Sequence, residues 1–308
     1  MGVRRGGGAG ARLGIAGVVM MAGIGCAGGS GGPREGFVKV TGGRVWYRVV
    51  GNGRGTPILL LHGGPGFTSY YLEPMARLGD ERPVVFYDQL GCGRSDRPVD
   101  PSLWRIERFV EELGQVRAAL GLQRVHLFGH SWGTMLAVDY LLTRPEEVRS
   151  LVLASPALSI PRWLEDTGRR RRSLPAEVQE TLLRHERAGT TGSDEYQEAS
   201  AEFERRFVIR LDPMPPEVEA SYANQSSAVY GTMWGPSEFH GTGNLKDYDR
   251  TARLGEIDLP VLFTAGRHDE ATPEATAWYA GLVPGAETVI FEHSAHMTMN
   301  EEPDRYVE

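Results

Sequence analysis

The chemistry in this chain begins at Gly129-His130-Ser131-Trp132-Gly133. An apolar run, Val125-His126-Leu127-Phe128, precedes it, and residues 134–142 follow with a helical pattern. G-x-S-x-G between a strand and a helix is a nucleophile elbow, a turn so tight that side chains at either glycine would strike neighbouring backbone. The serine hydroxyl then projects from a strand end into a cleft. A hydroxyl is a poor nucleophile at its own pKa, so it needs a base and a group that orients the base. On such a scaffold the chain order is Ser, acid, His. The late apolar run at 260–265 leads into Gly266-Arg267-His268-Asp269-Glu270, where Asp269 is the acid. After the last apolar run, Phe291-Glu292-His293-Ser294-Ala295-His296 supplies two histidines. His296 is preferred over His293 because it lies deeper in the loop and leads into Met297-Thr298-Met299.

Acyl transfer also needs two backbone N–H groups aimed at the developing oxyanion. One is expected from Trp132, the residue after the nucleophile. The other is expected from His62-Gly63-Gly64-Pro65-Gly66, which follows the apolar run at 58–61. Pro65 has no N–H, so a glycine must donate, and Gly64 is the choice.

These groups need a rigid frame. Short apolar runs at 58–61, 84–87, 125–128 and 151–154 have the character of buried parallel strands. Helical patterns at 70–78 and 105–120 lie between them, and two β-like runs at 37–50 flank Thr41-Gly42-Gly43 as a hairpin. The alternation implies a mostly parallel sheet covered by helices, an α/β fold. It stops near Pro156, gives way to a polar, arginine-rich, helical region, and resumes at 260–264 and 288–291. The region between is read as an inserted helical cap, with the basic run Arg169 to Arg172 as a solvated helix face. The expected division is a leader at 1–25, a linker at 26–36, core at 37–157, cap at 158–252 and core again at 253–308.

At 308 residues, 41% apolar and 24% charged, the chain can bury a large core. Its net charge of -7 argues against a nucleic-acid partner. The first 25 residues combine Arg4, Arg5 and Arg12 with a 12-residue apolar run at 13–24, the layout of a secretory signal too short to span a bilayer. They hold three arginines and no acid, so their removal takes the charge from -7 to -10. Gly25-Cys26 resembles a bacterial lipoprotein cleavage site, with Gly23 as a departure where leucine is usual. The expectation is an exported, periplasmic or cell-envelope protein, with the membrane reached only through lipid on Cys26. The two cysteines, Cys26 and Cys92, make no disulfide framework and no metal site.

Taken together, His62-Gly63-Gly64-Pro65-Gly66, Asp88-Gln89-Leu90-Gly91-Cys92-Gly93-Arg94-Ser95 and Gly129-His130-Ser131-Trp132-Gly133 resemble the prolyl aminopeptidases (proline iminopeptidases), relatives of the tricorn-interacting aminopeptidase. The resemblance runs from about residue 37 to the end. It implies an α/β-hydrolase fold with a helical cap, a triad of Ser131, Asp269 and His296, and no metal or organic cofactor. It also implies that carboxylates read the free amino end of the substrate. Gly266-Arg267-His268-Asp269-Glu270 points to Glu270, and Gly235-Pro236-Ser237-Glu238-Phe239 points to Glu238. An ammonium leaving water needs such compensation. Trp132, Tyr230, Trp234 and Phe239 are expected to wall a slot for a proline ring. Cys92 should pack as a small buried residue near the site, and a thiol reagent should inhibit. The resemblance departs in two places. His268 stands where tyrosine is frequent, and the family's final helix is longer than the stretch from Pro303 to Glu308. The expected partners are short peptides or aminoacyl derivatives with a free N-terminus. Two other readings remain open: an amidase or esterase on small aminoacyl derivatives, and a non-catalytic lipid-anchored binding protein.

Overall fold

The computed structural model describes Gly2 and residues 34–308. Apart from Gly2, the expected leader lies outside the described residues, as do Cys26 and most of the 26–36 linker.

Eight strands form one sheet in the order β1-β2-β4-β3-β5-β6-β7-β8. They are β1 (Arg34–Val40), β2 (Gly43–Val50), β3 (Ile58–Leu61), β4 (Val84–Tyr87), β5 (Val125–His130), β6 (Val148–Ala154), β7 (Val261–Gly266) and β8 (Glu287–Phe291). β1 and β2 pair antiparallel, β2 pairs antiparallel with β4, and the rest is parallel. β1 takes in the last three residues of the expected linker, because Arg34, Glu35 and Gly36 continue the ladder with Val49, Arg48 and Tyr47. β3 and β4 are wholly buried. Their continuous apolar runs serve two faces at once: Leu59, Leu61, Val85 and Tyr87 enter one core layer, while Ile58, Leu60, Val84 and Phe86 enter the other.

Helices α1 (Ile106–Ala119) and α2 (Trp132–Leu141) cover the first layer. Residues Tyr70–Asp80 cover the second as a 3-10 helix. The apolar spacing there suggests an α-helix, but Pro74 sits inside it and lacks the N–H that an α-helical turn would use.

Between β6 and β7 the chain builds a separate layer from α3 (Ile160–Arg171), α4 (Ala176–Ala188), α5 (Asp194–Phe207), α6 (Pro216–Asn224) and α7 (Ser227–Met233). Leu182, Tyr196, Phe203, Phe207 and Phe239 give it a small core of its own. It leaves and rejoins the body at one neck, where Ser159 bridges Asp249 and the Ile160 N–H bonds Tyr248 O at 2.9 Å. The arginine run is less solvated than its composition suggests. Arg169 pairs with Glu165 and Asp166, Arg170 donates to the Asp269 carbonyl at 3.0 Å, and Arg171 grips Glu186 with both terminal nitrogens. The chain then runs through α8 (Pro273–Ala280), α9 (Thr298–Glu301) and α10 (Pro303–Val307).

Candidate active site

Ser131 sits between β5 and α2 with φ 54° and ψ -122°, a strained conformation for a residue with a side chain. Its amide bonds Ala154 O at 3.0 Å, which ties the turn to the end of β6. Both flanking glycines are sterically required. A Cβ on Gly129 would lie 2.4 Å from Gly133 O, and one on Gly133 would lie 2.1 Å from Leu61 O.

The loops after β7 and β8 bring the acid and the base together. Asp269 Oδ1 accepts from the Ala271 amide at 2.8 Å and lies 2.8 Å from His296 Nδ1. Its Oδ2 accepts from the Ser155 hydroxyl at 2.6 Å. With the carboxylate on Nδ1, that nitrogen carries the proton and Nε2 is left as the acceptor a general base requires. His293 is exposed instead, with its amide on Glu302. Ser131 and His296 line the same cavity, of about 350 Å³.

The glycine loop after β3 faces Ser131. Gly63 donates its amide to Tyr71 Oη at 2.8 Å, so that N–H is occupied. Gly64, with φ 115° and followed by a cis bond to Pro65, lines the cavity beside Ser131. Trp132 opens α2, where the first amides of a helix have no intrahelical acceptor and lie at the positive end of its dipole.

Several bracing residues give no signal in the sequence. Tyr71 Oη also lies 2.8 Å from His130 Nδ1, and His130 Nε2 donates to the His296 carbonyl at 2.9 Å. Ser155 reaches that same carbonyl at 3.0 Å. One chain of hydrogen bonds thus joins the glycine loop after β3 to the loop that carries His296. Burial, with His296 nearby, holds the His130 pKa well below its ordinary value, so it remains a neutral bridge. The Asp88-to-Ser95 motif serves the same scaffold. Gln89 donates to His62 O at 3.0 Å and accepts from the Trp132 indole at 2.9 Å.

Two carboxylates, Glu238 and Glu204, line the cavity, and Glu270 is buried beside His296 without lining it. Glu270 is 1% exposed, neither of its oxygens has a hydrogen-bond partner among the described residues, and Oε1 lies 3.9 Å from His296 Nε2. Burial, then Glu238 and Asp269, push its pKa well up. Glu238 accepts from the Tyr230 hydroxyl at 2.7 Å, and its backbone carbonyl accepts from the Trp163 indole at 2.9 Å. Its pKa is raised, chiefly by burial. Glu204, on α5, is the third. Sequence reasoning misses it because an amphipathic helix rich in glutamate carries no local mark of which one turns inward. Burial and Glu238 hold it up at about 7.

Two expectations need correcting. Of the four aromatics proposed as slot walls, only Tyr230 lines the cavity. The Trp132 ring packs edge-on to Phe109, Trp234 packs against Trp163, and Phe239 belongs to the cap core. The apolar walls are Phe67, Tyr71, Val208, Tyr222 and Met297. Cys92 is wholly buried, donates to Gln89 O at 3.1 Å, and has its thiol pKa pushed well up by burial. It packs as expected, but neither access nor thiolate character supports inhibition by a thiol reagent. Among the described residues there is no cluster of metal-ligating side chains and no helix long and apolar enough to cross a membrane.

This arrangement corresponds to known proteins over most of its length. A family model for the alpha/beta hydrolase fold matches residues 56–303. A proline iminopeptidase of Heyndrickxia coagulans is 51% identical over 275 residues, covering 89% of this chain and 96% of that protein. The crystal structure of VinJ superposes with a TM-score of 0.86 at 40% identity, covering 89% of this chain and 95% of its own. The proline iminopeptidase of Mycobacterium smegmatis superposes with a TM-score of 0.81 at 36% identity and the same coverage.

Proposed function

The chain belongs to the alpha/beta hydrolase fold family and, within it, to the proline iminopeptidases, and from that premise we propose that Ser131 carries the release of an N-terminal residue, preferably proline, from peptides. The protein is a serine hydrolase of the prolyl aminopeptidase type. Ser131 attacks the carbonyl of the first residue while His296 takes its proton, and Asp269 holds the imidazole in the required tautomer. The Trp132 and Gly64 amides receive the oxyanion. His296 then gives the proton to the leaving amine; in the second half water attacks the acyl-enzyme as His296 takes its proton, and His296 returns that proton to Ser131 Oγ as the amino acid leaves.

Glu238 and Glu270 hold the α-amino end. The observation that carries this is Glu270 itself: a buried carboxylate with no partner, 3.9 Å from the catalytic base. Such a group is costly unless a cation meets it. An ammonium bound there leaves room for one residue before the scissile carbonyl, which makes the enzyme an aminopeptidase rather than an endopeptidase. Kinetics on prolyl and alanyl naphthylamides, alanine amide and a simple acetate ester test the reading. Prolyl naphthylamide is expected to lead, and preference for the ester sinks it.

The basic, apolar and small-residue order of residues 1–26 supports export and a lipid anchor on Cys26. Mass spectrometry of the mature protein is expected to find an N-terminal acylated Cys26; an uncleaved Met1 refutes this.

A further inference from the structure

Helix α5 turns Gln197, Ser200 and Glu204 toward the cavity, and their spacing puts them on one helical face. Gln197 is exposed at the mouth. Ser200 is 4% exposed, and its hydroxyl has no hydrogen-bond partner among the described residues. Glu204 is half-buried. Glu204 and Glu238 line the same cavity as His296, and Glu270 lies buried with Oε1 3.9 Å from His296 Nε2. The groups facing Glu204 are Glu238 from the cap loop, the Tyr222 hydroxyl from α6 and Arg205 beside it on α5. Among the described residues no lysine or arginine lines the cavity. A substrate α-ammonium brings one positive charge to three carboxylates, and a confined site penalises the excess.

We propose that Glu204, with the Ser200 hydroxyl beside it, forms a specificity-determining subsite for a second positive charge at the end of the substrate's first side chain, as in lysine, ornithine or arginine. This rests on the reading of Glu238 and Glu270 as the holders of the α-amino end. The ammonium donates to the carboxylate and to the orphaned hydroxyl, both of which accept. With a prolyl substrate no second cation arrives, and Glu204 takes a proton instead. Its pKa of about 7 makes that form accessible at neutral pH.

The test uses Ser131→Ala enzyme, to prevent turnover, and calorimetric titration at pH 8 with L-lysinamide, L-norleucinamide and N-acetyl-L-norleucinamide. Lysinamide is expected to bind about tenfold more tightly than norleucinamide, the size of one charge-assisted hydrogen bond. Adding Glu204→Gln should bring the two within about twofold, and lowering the pH to 6 should shrink the ratio in the parent. Both ligands meet the same protein, so partial misfolding lowers the stoichiometry and not the ratio. No lysinamide binding, equal affinities in the parent, an unchanged ratio in Glu204→Gln, or loss of both ligands together overturns the subsite. If N-acetyl-norleucinamide binds as well as norleucinamide, the amino-end reading itself fails. If the free amine matters and the second charge does not, only the subsite fails.

Discussion

Glu270→Gln keeps the shape of the side chain and removes one charge from a place where, among the described residues, no hydrogen bond compensates it. Two effects of opposite sign result. An ammonium and a carboxylate about 4 Å apart attract by about 4 kcal/mol at an effective dielectric of about 20. At about 1.4 kcal/mol per decade that is close to three orders of magnitude. Glu238 stays in place to hold part of the ammonium, so kcat/KM for prolyl naphthylamide is expected to fall by about 100- to 1,000-fold. Stability moves the other way. A buried polar group without a partner costs about 1–3 kcal/mol. Both Glu270 oxygens are such groups, so Glu270→Met should raise stability by a similar amount. For a chain of this size that is on the order of 2–4 °C in Tm per kcal/mol. Steady-state kinetics on prolyl naphthylamide and on an acetate ester, beside thermal melts of both variants, give the readouts. Full prolyl activity in Glu270→Gln, or equal losses on the ester and the prolyl substrate, would refute the reasoning. A Glu270→Met protein that melts lower than the parent would refute the stability half.

Three further outcomes are expected. Asp269→Asn retains the side chain's outline but no longer fixes the tautomer of His296, and kcat should fall by about 10⁴; burst kinetics on a naphthylamide check it. Gly133→Ala places a Cβ 2.1 Å from Leu61 O, so the elbow cannot close, and circular dichroism should find the variant unfolded or much less stable, whereas Gly189→Ala, with open space but φ 68°, should cost about 1 kcal/mol. The Glu238 and Glu270 pKa values are raised, so their protonated forms persist toward neutral pH. A bound ammonium lowers both, and binding prolinamide at pH 7 to Ser131→Ala enzyme that also carries Glu204→Gln, so that Glu204 cannot take up a proton in compensation, should therefore release protons. Titration in two buffers of different ionisation enthalpy measures this directly, and proton uptake or no exchange contradicts it.

Local spacing in the sequence marks the sheet strands, the strand-to-helix turn at Ser131, and the loops that carry Asp269, His296 and Gly64. Strands β3 and β4 were legible because a four-residue apolar run bounded by turns has few alternatives, and both faces of a parallel sheet need apolar side chains. Ser131 was legible because its strained turn tolerates only glycine on either side. Tertiary structure decided what depends on side-chain direction across distant segments. His293 and His296 are three residues apart on one loop, and only the fold turns His296 onto Asp269. Tyr71, His130 and Ser155 come from three separate segments, so no local pattern could announce their network. Three of the four aromatics read as slot walls, Trp132, Trp234 and Phe239, face other aromatics and the cap core, while Tyr222 and Phe67 join Tyr230 in lining the cavity. Glu204 is one glutamate among several on α5, and it turns inward only because Phe203 and Phe207 anchor that helix in the cap core. Period and steric constraint are properties of neighbours in the chain, whereas burial and charge pairing are properties of neighbours in space.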